Sequence, residues 1–351
     1  MWFSRRKRYG LAGECGGKRA PAPRYRGARH PGVERLEDRT VLSGFTAASV
    51  ADLIADINAA NTTGGANTIT LTANTTFTLT SADNYTDGAN GLPAIAAGDD
   101  LTIVGSGDTI QRSTANGTPT FRLLAVESGG SLALANLTLQ GGVTASTDRY
   151  GFVAGGAVYS QGSLSLSGVT VQDSLVQGFR GLDAEGGGIC SRGVLTAQDC
   201  IIRGNQSDGS DGASEAVGGA RGGDALGGGL FVLGSASLTN VTLSSNTAKG
   251  GKGGNPGFYF GVHVKGGSGG GGLGGGLALG DYASVELHGC VVTGNTAASG
   301  GGAADGAGEG GGVYIVPLAS ACLDAFTVAH VTSNKASTSG PNIFGAYTTC
   351  P

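Results

Sequence analysis

An internal repeat constrains this chain more than any other feature. Residues 158–174 (VYSQGSLSLSGVTVQDS), 189–205 (ICSRGVLTAQDCIIRGN) and 230–246 (LFVLGSASLTNVTLSSN) align without gaps over 17 positions. Each follows a triplet of small residues: Gly155-Gly156-Ala157, Gly186-Gly187-Gly188 and Gly227-Gly228-Gly229. Two longer units, 277–295 and 313–334, follow Gly274-Gly275-Gly276 and Gly310-Gly311-Gly312, and residues 126–142 fit the same frame with a weaker ending. A unit this short cannot bury an apolar face alone, so the units must stack.

The columns of the alignment say how. Leu164, Leu166, Val169 and Val171 occupy the same places as Ala236, Leu238, Val241 and Leu243. Before them fall Gly130, Gly162, Gly193 and Gly234 at one column, and between them the turn residues Asn136, Gly168, Asp199 and Asn240 at another. Alternation with period two, broken by turn residues, predicts three short strands per unit with one face buried. Stacked, they predict an all-β, right-handed parallel β-helix solenoid, the hand following the general rule for parallel crossovers. In this register Val241 lies inside and Thr242 outside. Asn205, Asn246, Asn295 and Asn334 end four units, and their side-chain amides are expected to stack as a ladder along the axis.

From the end of one unit to the start of the next the chain takes 15, 25, 31 and 18 residues. Only this corner varies, so the Gly-rich insertions are expected to emerge on one side as mobile loops, 206–226 and 247–273 above all. Upstream, Ser49 and Asp52 begin a capping box, and Val50, Leu53, Ile54 and Ile57 follow helical spacing. Residues 49–61 are therefore expected to form a helix that caps the exposed strand edges at the N-terminal end. With 69 Gly among 351 residues, a helical bundle is excluded, and the lack of a strict Gly-X-Y period with only 9 Pro excludes collagen.

Charge separates a leader from a body. Residues 1–40 hold 11 of the 22 Lys and Arg and 4 of the 26 acids, a net of +7, which leaves −11 on the rest. The chain accordingly reads as a basic leader, 1–43, and a single β-helix domain, 44–351. An acidic body lacks the basic patch that nucleic acid requires. No run of about 18 apolar residues suggests a transmembrane helix, and no apolar stretch of the conventional signal-peptide kind follows Arg5-Arg6.

Two resemblances follow from these residues. Leu36, Glu37, Asp38, Arg39, Thr40 and Leu42, after an Arg-rich stretch, resemble the LEDRT-type N-terminal motif of planctomycete secreted and cell-surface proteins; this implies export. The repeats resemble those of chlamydial polymorphic outer-membrane proteins, whose units carry GGA-I and F-x-x-N. Here GGAV stands at 155–158 and L-S-S-N, V-T-G-N and V-T-S-N end at Asn246, Asn295 and Asn334, with aliphatics replacing the Phe. This second resemblance implies a right-handed β-helix over about 44–351.

Acid–base groups are missing from the regular faces. The outward columns hold Tyr159, Cys190, Phe231, Ala278 and Tyr314, then Thr138, Thr170, Ile201 and Thr242, with no carboxylate pair among them. Glycosidases and lyases need such groups on a rigid support, so no catalytic residue is assigned. Tyr159, Phe231 and Tyr314 form a candidate surface aromatic stripe for stacking on sugar rings. Asp183, Glu185, Asp208 and Asp211 are the candidate cation-binding group, with calcium the one cofactor they would take; the histidines lack zinc-ligand spacing. Cys322 and Cys350 are placed so that they could pair. The expected function is that of a non-catalytic secreted or cell-surface β-helix, structural, adhesin-like or binding an extracellular or cell-envelope polysaccharide or protein. The alternative is a polysaccharide lyase or glycoside hydrolase.

Overall fold

The computed structural model describes residues 43–145, 153–215 and 217–351, and these belong to one compact unit. Residues 1–42, with the LEDRT string, lie outside the described residues; Ser43, assigned to the leader, begins the first strand, Ser43–Ala47. From Val158 onward the chain repeats one circuit. Val158–Ser160, Ser163–Ser167, Thr170–Gln172, Leu175–Gln177 and Ala184–Glu185 are its five strands. The next circuit is Ile189–Ser191, Val194–Gln198, Ile201–Arg203, Gln206–Asp208 and Ala225–Leu226. Each strand pairs in parallel with its counterpart one circuit away, so the body is a set of stacked parallel sheets.

Register survives the long insertions. Leu139, Val171, Ile202, Leu243, Val292 and Val331 form one unbroken column. All six are buried in the main core, Val241 is inside and Thr242 is on the outer side. Burial of one such aliphatic side chain stabilises by about 1.5–3 kcal/mol, and a slip by one residue would expose the whole column. Two further circuits precede the repeat: Gly65–Leu71 with Thr76–Leu79, and the long strand Asp99–Arg112. The latter pairs along Ser131–Gln140.

The corners are built by residues that tolerate positive φ. Asn136, Gly168, Asp199, Asn240 and Gly289 turn the chain between the second and third strands at φ between 55° and 64°. Asn, Asp and Gly enter this region most readily. In the last described circuit the same corner is a short helix, Ala325–His330, capped by Asp324.

Three strands per unit is an underestimate. After the asparagine column comes a fourth strand, and before the glycine triplet a two-residue fifth. The fourth buries one residue per circuit, Val176, Ser207, Ala248 and Ala297 in turn, too little to leave a hydrophobic signature. All the large insertions fall between the fourth and fifth strands.

At the N-terminal end, α1 spans Val50–Thr63, starting one residue later than expected because Ser49 is its N-cap and ending two residues later, with Gly64 as its C-cap. Ser49 accepts a hydrogen bond from the Asp52 amide, and Asp52 accepts one from the Ala48 amide. Its Leu53, Ile57 and Ala60 join the same core as Ile69 and Leu101, so the helix covers the strand edge there. At the other end Cys322 and Cys350 form a disulfide with Cα atoms 5.4 Å apart. Cys190, Cys200 and Cys290 are buried thiols.

Candidate functional site

The asparagine column is structural. Asn205 Nδ2 donates to Asn246 Oδ1 (3.1 Å), Asn246 to Asn295 (3.0 Å) and Asn295 to Asn334 (2.9 Å). Each backbone amide along it also donates to the next side-chain oxygen. All four residues are buried and fully hydrogen-bonded, as buried amides must be.

Tyr159, Phe231 and Tyr314 do share a column, with Cys190 and Ala278 between them. The column is not a surface stripe, however. Tyr159 and Phe231 are 5% and 3% exposed and pack with Ala154, Leu226 and Leu233 in a second apolar cluster. The fifth strand folds back over the outer side of the first: a Gly triplet such as Gly186-Gly187-Gly188, with Gly186 at φ 64°, makes that reversal. Tyr314 is the most open of the three, and its ring stacks on Phe344 at 5.4 Å.

The four candidate acids do not converge. Glu185 pairs in register with Leu226, whereas Asp208 lies between Gln177 and Lys249. Glu185 binds Arg192 at 2.6 Å instead, close to the buried Cys190 thiol. Burial pushes its carboxyl above the usual range, and the Arg192 charge pulls it back. Asp183 accepts the Asp224 amide at 2.6 Å and is likewise raised by desolvation. Asp208 accepts from Gln206 Nε2 at 2.7 Å, and Asp211 from the Lys252 backbone N–H at 2.8 Å. Among the described residues no three His, Cys, Asp or Glu side chains are grouped to hold a metal ion.

What Asp208 and Asp211 do share is an outer face. The insertions are not loose loops. In Lys249–Asn255 the amides of Gly250 and Gly253 donate to Ala298 and Gly301 on one neighbouring segment, and those of Gly251 and Gly254 to Gly223 and Ala220 on another. Gly209 and Gly212 donate to Lys249 and Lys252, and Gly267 and Gly270 return to Gly254 and Gly251. The bonds thus repeat every third residue and run sideways, as in extended chains with three residues per turn packed in a bundle. Glycine is required where chains touch. A Cβ on Gly250, Gly251, Gly267, Gly270 or Gly300 would come within 3.0 Å of a neighbouring carbonyl oxygen.

Every third residue is left to face outward. One strand presents Asp208, Asp211 and Ser214, and the strand beside it Lys249, Lys252 and Asn255. The two are tied by Asp211 on the Lys252 amide and Ser214 on the Asn255 amide, both at 2.8 Å. With Gln177, Phe179, Arg180 and Ser210 these charged residues line a groove of about 500 Å³ across three circuits. Arg180 lies over the Phe179 ring, 5.4 Å from its centroid. On a different strand of the bundle Arg221 and Asp224 form an ion pair at the same three-residue spacing. Between the Lys249–Asn255 strand and the one that returns from Lys265 stands a hairpin, Gly257–Tyr259 with Val262–Val264. Its Phe258 and Phe260 are 60% and 88% exposed. The signal for this face was present in DGSDGAS and KGGKGGN as a period of three.

Comparisons with protein families, with curated proteins and with solved structures find no match to this chain.

Proposed function

We propose that this is a secreted or cell-surface right-handed parallel β-helix protein that holds an extracellular or cell-envelope polymer without turning it over. The observation that carries the reading is the face formed by Asp208, Asp211, Lys249 and Lys252 with Arg180 and Phe179. Charges of both signs recur along it at three-residue intervals, about 9 Å for extended chain of this type. A linear glycan that repeats its charged groups on a similar spacing would meet the same contacts several times over, which raises avidity without new chemistry. The aromatic hairpin beside it offers rings for stacking on sugars. Export is supported by the Cys322–Cys350 disulfide, since disulfides persist in oxidising compartments, and by the LEDRT-type leader. No helix among the described residues is long and apolar enough to cross a membrane.

The test is incubation of the full chain with pectate, alginate and other acidic glycans, with and without calcium. Binding without new chain ends is expected, weakened by salt and by Lys249→Ala with Lys252→Ala. Unsaturated or reducing ends, abolished by Asp208→Ala or Asp211→Ala, would refute the non-catalytic reading in favour of a polysaccharide lyase or hydrolase. A requirement for calcium would make that ion part of the site.

A further inference from the structure

Arg122 is the one fully buried arginine among the described residues, at 0% exposure. Its backbone is fixed by Ala89 and Gly91, with N–H···O distances of 3.0 and 2.7 Å. Its side chain lies under Tyr159, with Cζ 5.0 Å from the ring centroid. Nε, Nη1 and Nη2 are all buried, and none has a hydrogen-bond partner. The acids nearby are engaged elsewhere: Asp87 accepts from Gln161 Nε2 at 2.5 Å, and Glu185 is held by Arg192.

A guanidinium cannot escape by losing its proton at ordinary pH. An isolated buried charge costs several kcal/mol, and the cation–π contact with Tyr159 offsets only about 2 of them. The wall beside Nη2 is also unusual. It is Gly88, at φ 114°, and a Cβ there would sit 3.2 Å from Nη2. Side-chain volume is therefore left out where the guanidinium edge points. We propose that Arg122 anchors a buried site for a small, weakly hydrated monovalent anion of the halide class. One negative charge balances the one cation, and the Tyr159 and Cys190 surroundings disfavour a strongly hydrated oxyanion. The ion would tie the segment Asp83–Asn90 to the outer side of the strand Leu124–Val126, independently of the polymer-binding face.

The experiment uses the full chain in sodium chloride, bromide or gluconate at constant ionic strength. Thermal unfolding of the wild type should shift upward by a few degrees as gluconate is replaced by bromide, because a ligand of the folded state raises its stability by mass action. Arg122→Met should abolish the dependence. Anomalous scattering from bromide-soaked crystals should place an ion against Nη1 and Nη2, and this arm stands even if the variant fails to fold. Equal responses of wild type and Arg122→Met would overturn the proposal. So would a crystal structure with water or a protein carboxylate on the guanidinium and no bromide peak.

Discussion

Replacing Asn246 by Ala tests the ladder at its centre. The substitution removes two donations, to Ile202 O (2.9 Å) and Asn295 Oδ1 (3.0 Å). It also removes the acceptor of the Asn205 amide (3.0 Å) and of Asn205 Nδ2 (3.1 Å). Asn205 and Asn246 are 1% and 0% exposed, so water cannot replace what is lost. The Asn205 backbone N–H and one of its two Nδ2 hydrogens are left without an acceptor, the other still reaching Val171 O, at about 1–3 kcal/mol each, and the small cavity adds to this. The expected destabilisation is about 3–5 kcal/mol. Thr242→Ala, four residues earlier on the outer side of the strand Thr242–Ser244, should stay within about 0.5 kcal/mol. Guanidinium unfolding followed by far-UV circular dichroism gives both values. Hydrogen exchange should show the Asn205 amide losing protection first. A loss below 1 kcal/mol for Asn246→Ala, with the fold intact, would mean that the ladder's bonds are exchanged for equally good ones and would refute the reasoning.

Three further outcomes are expected. Cys322→Ser should lower global stability by about 3–4 kcal/mol for a closed loop of this length, read from the guanidinium unfolding midpoint; an unchanged midpoint would count against it. Gly251→Ala should open the bundle, because its Cβ would run into the Ser210 carbonyl, and proteolysis within 247–273 should rise while the core column of Leu243 keeps its protection. Glu185 titrates above its usual 4.5 because burial disfavours its charge. The folded state therefore holds this proton more tightly than the unfolded one, and the stability so gained is lost as pH rises through the folded-state pKa. Glu185→Gln should flatten stability over that window above pH 4.5, and an unchanged pH profile would show that another group is responsible.

The strands that were legible were those with period-two alternation against a shared core: Leu164, Leu166, Val169 and Val171 announce their inward side, and the glycine and asparagine turns mark their ends. The fourth strand was not, since a three-residue strand with one buried side chain, Ser207 in one circuit, carries no pattern. The aromatic column was placed correctly along the sequence but on the wrong side of solvent, because the two-residue strand that covers it is invisible without the Gly-triplet reversal. In sequence the bundle reads as mobile loop, because its order rests on backbone bonds and close approach rather than on apolar side chains. Nothing in the sequence around Arg122 distinguishes it from a solvated arginine.

The sideways bonding of the bundle has a consequence for how such a chain can change length. Each strand uses one residue in three to face outward and the other two to meet neighbours. Adding or removing a single residue within Lys249–Asn255 would turn every later position by a third of a revolution. A lysine would then point into a contact where even a methyl group does not fit. Adding three would merely lengthen the strand and set one more side chain on the outer face. The insertions thus have a reading frame of their own, written in space, and growth of this surface by small steps is possible only in triplets.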